Sequence, residues 1–330
     1  MNSVMSSYSI IESISIYTRK FDLKKPYVLS FDTINSIDSI QLEIVLKNGT
    51  SRIAEVVPLP GYSVETKESI LNYLKPVLEK CKGRLLSEVR NQVHFDISKN
   101  SFACSVLLTC IDLFDFSYEL TGKEHIDFVV PCSSESPEEI AQMIKRTKPG
   151  QGNTFKIKLS GNINTDVTCL ERLEKMDLSC VFIRFDANQG FTYENARIFY
   201  QRVSTMKDIS CIHYVEQPLG NEAWEEHALL VRDFPAVATM LDESIVTIQD
   251  VRKAIAIRVP FVKFKLFKQG GIKELIELID TSFENGLKVV LGNGVATEMS
   301  NDIENSIYLR YKNKLFGASE ANGFQKIYNL

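Results

Sequence analysis

Five side chains, Lys158, Asp186, Glu216, Asp242 and Lys265, follow one another along the chain at steps of 28, 30, 26 and 23 residues. Their order suggests chemistry: three carboxylates in succession, with an ammonium group before and after them. Acids aimed at one point repel each other and raise each other's pKa unless a cation neutralises them. Oxygen donors without histidine or cysteine select a hard ion, Mg²⁺ ahead of Mn²⁺. A lysine buried near other cations has its pKa lowered towards that of a general base working near neutral pH. Any one of these acids alone reads as a strand-end cap or a surface ion pair. Three at the same point of consecutive units read as a metal site.

The elements that must position them are visible as a repeat. Apolar stretches recur at "IDFVVP", "FKIKLSG", "VFIRFDANQG", "CIHYVEQPLG", "VATMLDESI", "FVKFKLFKQGG" and "KVVLGNG". A helical stretch follows each, the first opened by Ser136-Pro137-Glu138-Glu139, a strong helix start. Strand followed by helix, repeated with this regularity, implies parallel strands, and seven in a row favour a closed barrel over an open sheet. The C-terminal strand ends of such a barrel meet at one mouth. Side chains two apart on a strand share a face, so Lys156 joins Lys158, and Lys263 joins Lys265. The deeper pair, Lys156 and Lys263, is expected to tune charge, and the outer pair, Lys158 and Lys265, to act as acid and base.

The N-terminal part has another rhythm. Alternation in "IIESISIYT" and "SIQLEIVLKNGTSRIAEVVPL" predicts antiparallel strands, with Asn48-Gly49 as a hairpin turn. "VETKESILNYLKPVLEKC" has helical spacing. "FACSVLLTCIDLFDFSYELTG" is apolar nearly all round and reads as a helix buried between two layers.

The motifs "FKIKLSG", "IRFDANQGF", "YVEQPL", "LDES" and "KFKLFKQGG" resemble the barrel motifs of the enolase superfamily, in particular its muconate-cycloisomerase subgroup. "AEVVPLPGYSVET" is similar to the subgroup's capping domain. The resemblance implies an α/β fold: a (β/α)7β TIM-like barrel over residues 126–330, preceded by an α+β capping domain over 1–125 to which the C-terminal tail could return. It implies Asp186, Glu216 and Asp242 as ligands of Mg²⁺ (or Mn²⁺), Lys158 as the second lysine of the KxK strand, and Lys265 as the opposing base. Asn188 and Glu243 fall where the family supports the ligands. Such a site would take the α-proton from a small-molecule carboxylate and stabilise the resulting enediolate. A lysine on each face permits racemisation or epimerisation of an N-substituted amino acid or dipeptide-like acid. The same pair serves o-succinylbenzoate synthase-type dehydration, a lyase reaction, or muconate-type cycloisomerisation. A barrel that has lost catalysis and only binds is the reading from another class.

Some features depart from the pattern. Relatives of mandelate racemase use a late histidine base, and none of His94, His125, His213 and His227 sits at a late strand end. By parity with Glu216, His213 should face the helices. Dipeptide epimerases of the subgroup carry an Asp-x-Asp near the last strand that holds the substrate ammonium; here "LFGASEANGFQKIYNL" offers Glu320 and Asn322 instead. That stretch is expected to shorten the return of the C-terminus to the cap. The glycines of "LGNGV", around Asn293, would let backbone approach a ligand. Arg19 and Lys24, in a polar stretch read as a loop over the mouth, are candidates for pairing with a second anionic group.

The bulk numbers exclude other classes. A net charge of −4 gives no basic excess for nucleic acid. No apolar run approaches the roughly 20 residues of a membrane span. Seven cysteines without a CxxC pair read as free thiols in a reducing compartment. The expectation is a cytoplasmic enzyme that forms a homo-oligomer.

Overall fold

The computed structural model describes residues 9–28, 33–59, 62–117, 125–132, 136–146, 153–179 and 181–328. Pro60 and Gly61 of the cap motif, Cys180, and the 118–123 end of the apolar helical stretch lie outside the described residues. The chain begins with three antiparallel strands, β1 (Ile11–Val28), β2 (Thr33–Leu46) and β3 (Ser51–Val56). The β2–β3 hairpin turns at Asn48-Gly49 as the sequence predicts. Gly49 has φ +82°, and the Thr50 N–H donates to the Asn48 side chain at 2.9 Å. The segment holding Arg19 and Lys24, expected as a loop, is part of β1, where both side chains are exposed.

Three helices follow: α1 (Lys67–Glu79), α2 (Leu86–His94) and α3 (Ser101–Asp112). Thr66 and Ser69 close a reciprocal cap at the start of α1. In α3 every residue from Phe102 to Asp112 is buried, as an all-round apolar sequence requires. This helix joins the two parts of the molecule, since one continuous core runs from Ile40 and Leu42 through Leu107 and Leu108 to Leu275 and Ile303. Gly271, at φ +116°, lies so near α3 that a β-carbon would come within 2.9 Å of the Leu108 Cβ. Only glycine meets both demands there.

The second part is a parallel sheet of seven strands in sequence order: β4 (Val130–Cys132), β5 (Asn153–Lys158), β6 (Val181–Asp186), β7 (Ile212–Glu216), β8 (Thr239–Leu241), β9 (Phe261–Phe264) and β10 (Lys288–Leu291). Helices α4 (Pro137–Arg146), α5 (Ile163–Glu174), α6 (Tyr193–Ser204), α7 (Trp224–Asp233), α8 (Ile248–Ala256) and α9 (Ile272–Glu284) connect successive strands, and α10 (Glu298–Arg310) follows β10. The expected start of α4 is present, with Ser136 and Glu139 capping each other. A separate core of β5–β7 and the helices over them includes Ile157, Leu170, Phe185 and Phe199.

The segment after α10 touches both edges of this sheet. Phe316 N–H donates to the Val289 carbonyl at 2.7 Å, Ser319 N–H to Asp127 at 2.8 Å, and Val129 N–H to Ser319 at 3.0 Å. These are single bridges rather than ladders. The tail then reaches the first sheet: Ile327 bridges Leu23, and Tyr328 N–H donates to the Asp22 carbonyl at 3.0 Å. The expected shortening of this return does not occur, because a short turn at Gly323–Lys326 carries the chain straight back to β1. Among the described residues no helix is long and apolar enough to cross a membrane. The six described cysteines are free thiols.

Candidate active site

Register brings the expected residues side by side. In the parallel sheet Lys158 pairs with Asp186, and Asp186 with Glu216. Asp242 and Lys265 come one residue beyond β8 and β9. Two unusual backbone positions shape these ends. Asn188 (φ +41°) and Gln217 (φ +37°) both lie in the left-handed region, where a side chain is strained unless its surroundings hold it. The Gln217 amide oxygen accepts from the Asp242 N–H at 2.9 Å and the Ser244 N–H at 3.2 Å, so the β7 end fixes the β8 end. Asn188 accepts from Lys158 Nζ at 2.6 Å and donates to Glu243 Oε1 at 3.3 Å, linking two residues of the site.

The charges form one buried network. Lys156 Nζ lies between Asp186 Oδ2 (2.8 Å) and Glu216 Oε2 (2.6 Å). Lys158 Nζ meets Asp186 Oδ2 at 2.6 Å, and Lys263 Nζ meets Glu216 Oε1 at 3.1 Å. Asp242 is turned towards Lys265 (2.6 Å) and Lys268 (2.8 Å). Burial alone would raise the Asp186 and Asp242 carboxyls, but their lysines outweigh it and hold both well below the usual range. Glu216 is different. Burial and then the neighbouring Asp186 charge push it up to about 7. Glu243 is likewise pushed up to about 7 by burial and the charge of Asp242, and its Oε2 is buried without a partner.

The two outer lysines are not equivalent. Burial lowers both, yet Asp186 more than compensates at Lys158, whose pKa is raised. At Lys265 burial prevails over the attraction of Asp242, with help from the Lys263 and Lys268 charges, and the pKa falls to about 8. The two stand on β5 and just beyond β9, with the three acid-bearing strands between them, and both line the same cleft.

Several further residues belong to the site although the sequence reading passed over them. Tyr62, from the first part of the chain, donates to Asp242 Oδ1 at 2.9 Å and accepts from Lys265 Nζ at 2.6 Å. It lies within the motif "PLPGYSVET" that resembles the cap, which was the available signal. Lys268 donates to both the carbonyl and the side chain of Asp242. Arg184, fully buried, bonds Glu320 Oε1 at 2.8 Å. Lys326, on the turn before the C-terminus, lines the cleft. Nothing local to "GFQKIYNL" marks it, because its place is set by contacts with β1 and with the loop after β10.

Other expectations need correction. Arg19 and Lys24 do not line the cleft; Tyr27 from the same strand does, with Lys158 over its ring. Lys24 Nζ instead donates to the Gln325 carbonyl at 2.9 Å. Glu320 and Asn322 both line the cleft, but Glu320 is engaged by Lys156, Lys263 and Arg184. Asn322 donates to the Val129 carbonyl at 2.8 Å. Gly292 packs tightly on its own chain, where a β-carbon would lie 2.2 Å from the Ala321 backbone nitrogen. His213 packs on Phe182 and Phe316 rather than facing the helices. It is the extra residue at a bulge, where the register moves from Ile183–Ile212 to Arg184–Tyr214, so simple alternation fails.

As the side chains stand, no group of three acidic, histidine or cysteine residues converges to hold an ion among the described residues, because ammonium groups sit between the carboxylates. The donor set still fits a hard cation. Asp186, Glu216 and Asp242 are carboxylates on adjacent strand ends, each at most 1% exposed. The raised Glu216 and Glu243 carboxyls and the unpartnered Glu243 oxygen mark a surplus of acid that the lysines do not satisfy.

Comparison with known proteins agrees with this layout. The chain is 24% identical over 298 residues to the L-Lys-D/L-Arg epimerase of Desulforapulum autotrophicum, covering 86% of this chain and 82% of that protein. It is 22% identical over 327 residues to the N-succinyl-L-Arg/Lys racemase of Bacillus cereus, covering 95% and 87%. The crystal structure of a dipeptide epimerase from Enterococcus faecalis V583, complexed with Mg and the dipeptide L-Leu-L-Tyr, superposes with a TM-score of 0.82 at 20% identity, covering 97% and 92%. The model of the family described as enolase C-terminal domain-like matches residues 138–318, more than half of the chain, and the chain belongs to that family.

Proposed function

We propose that the protein is an isomerase that moves the α-proton of an N-substituted amino acid or dipeptide-like acid, racemising or epimerising that carbon. The observation that carries this reading is the pair Lys158 and Lys265, one on either flank of three buried acids and both open to one cleft. Lys265, with its pKa near 8, is suited to accept a proton close to neutrality. Lys158, held charged by Asp186, is suited to deliver one from the opposite flank. In the reverse direction the roles exchange. Tyr62 steadies Lys265 by a hydrogen bond and by the face of its ring, 3.9 Å from the ammonium nitrogen to the ring centre. Lys156 and Lys263 keep the floor of the cleft charged, and Asn188 orients Lys158.

Asp186, Glu216 and Asp242 are the residues that would hold Mg²⁺, which when bound supplies positive charge to the oxygens of the developing enediolate. The relatives described above are epimerases and a racemase, which supports isomerisation over dehydration. We further propose that residues 315–320 serve as the eighth strand of a (β/α)7β barrel, and that the chain divides into a capping unit over 1–125 and the barrel over 126–330.

The test is incubation with Mg²⁺ and a panel of N-acyl amino acids and dipeptides in D₂O, followed by NMR. The reading expects deuterium at the α-carbon with inversion and without loss of water. Absence of exchange from every substrate, or dehydration, would contradict it.

A further inference from the structure

Lys326 has unusual company. Its Nζ donates to the Gly294 carbonyl at 2.6 Å and lies 5.3 Å from the centre of the Tyr27 ring. Among the described residues no carboxylate lies within ion-pair distance of it. Every other lysine that lines the cleft has an acid at 3.1 Å or less. Lys326 is nonetheless held firmly in place. The turn that carries it is pinned by the Ile327–Leu23 bridge, by Phe324 N–H on Asn301 Oδ1 at 3.1 Å, and by Gly323, where a β-carbon would come within 2.3 Å of the Ala296 nitrogen.

A second donor lies beside it. Asn293 is 3% exposed and lines the same cleft. Its Oδ1 accepts from the Val295 N–H at 2.9 Å, which fixes the orientation of the amide. Its Nδ2 is left buried and without a partner. An unmade buried hydrogen bond of this kind is destabilising and calls for an acceptor. The residue next to it, Gly294, has no side chain to fill the space, and Lys326 Nζ would lie 3.3 Å from a β-carbon placed there.

The charge of the cleft points the same way. Among the described residues five ammonium groups line it, from Lys156, Lys158, Lys263, Lys265 and Lys326, against two carboxylates, Asp186 and Glu320. Both acids are already taken up by lysines, and Glu320 by Arg184 as well. Among the described residues no acid that lines the cleft is left to receive a substrate ammonium group.

We propose that Lys326 and the Asn293 amide receive a second anionic group of the substrate, a carboxylate carried away from the reacting carbon. The substrate is then an amino acid acylated by a dicarboxylic acid, rather than a dipeptide with a free ammonium terminus. This rests on the proton-transfer reading above and names its substrate class. Burial and then the Lys158 and Lys156 charges push Lys326 down to about 7, and an arriving carboxylate would supply the missing counter-charge.

Calorimetry with Mg²⁺ present tests this through two ligands of nearly the same shape that differ in the distal charge, N-succinylglycine and its terminal amide, N-succinamoylglycine. The wild-type protein should bind the first about 30-fold more tightly or better, as expected for a desolvated charge pair. In Lys326→Met that ratio should fall towards one, and in Lys326→Arg it should be largely restored. Equal binding of both ligands by the wild type, or an undiminished ratio in Lys326→Met, would overturn the proposal. The first comparison needs no variant, so poor folding of a mutant cannot obscure it. A clear preference for N-succinylglycine with no α-proton exchange would uphold the receptor and sink the reading of function.

Discussion

The two sides of the cleft differ in how completely their charges are answered. Along β5 to β9 each of Asp186, Glu216 and Asp242 meets two lysines. On the side formed by the loop after β10 and the C-terminal turn, Lys326 Nζ donates to a carbonyl and Asn293 Nδ2 has no partner among the described residues. The first side thus holds most of its own counter-charges, apart from one for Glu243 Oε2. The second side is where the proposed distal carboxylate of the substrate would sit. On the proposed reading, a largely self-compensated floor does the chemistry and an uncompensated rim chooses the substrate.

The largest effect should come from breaking the floor. Glu216→Gln removes a carboxylate shared by Lys156 and Lys263 and one of the three proposed ligands; turnover should fall about a thousandfold, with a parallel loss of Mg²⁺ affinity by calorimetry. Removal of the metal with a chelator should have a similar effect on the wild type, and unchanged turnover in either case would place the chemistry elsewhere.

Next comes Glu320, which joins floor and rim. Glu320→Ala leaves Lys156, Lys263 and Arg184 without one of their anions in a buried setting, and should cost about 3–5 kcal/mol in denaturant unfolding. A loss under 1 kcal/mol would show that the ion network is less coupled than its geometry implies.

A pH experiment serves as a control outside both sides. His227 on α7 is fully buried, donates Nδ1–H to the Ala223 carbonyl, and has no partner at Nε2. Burial lowers its pKa to about 4 from the 6.5 of a free side chain. A lowered folded-state pKa gives stability that is present above 6.5 and lost as pH falls towards 4. The loss should be about 3 kcal/mol at most, one pKa unit being worth about 1.4 kcal/mol. Thermal melts of His227→Phe between pH 6.5 and 4 should show a shallower decline than the wild type, and parallel curves would remove His227 from the account. Gly292→Ala, where φ is +135° and a β-carbon would lie 2.2 Å from the Ala321 nitrogen, should cost about 1–3 kcal/mol in denaturant unfolding, and an unchanged midpoint would show that this backbone can move aside.

Much of this was legible in the sequence, for identifiable reasons. The strand-end series from Lys158 to Lys265 could be read because one repeat fixes both spacing and facing, and parity gave Lys156 and Lys263 their depth. The Asn48-Gly49 turn and the helix start at Ser136 are local and were equally plain. What escaped depends on contacts distant in sequence or on broken periodicity. Tyr62 reaches Asp242 across 180 residues. Lys326 is placed by β1 and the loop after β10. His213 escaped because one bulged residue cancels alternation, and Arg19 and Lys24 because a polar composition does not distinguish an exposed strand from a loop over a cleft.

The most direct test uses the two outer lysines separately. Lys158→Ala and Lys265→Ala would each be offered both enantiomers of an N-acyl amino acid in D₂O with Mg²⁺, and NMR would follow deuterium at the α-carbon. If one amine serves each face, neither variant inverts the centre. Each still labels a single enantiomer, and the two variants label opposite ones. Labelling of the same enantiomer by both, or inversion by either, would contradict the arrangement of a proton donor and acceptor on opposing faces.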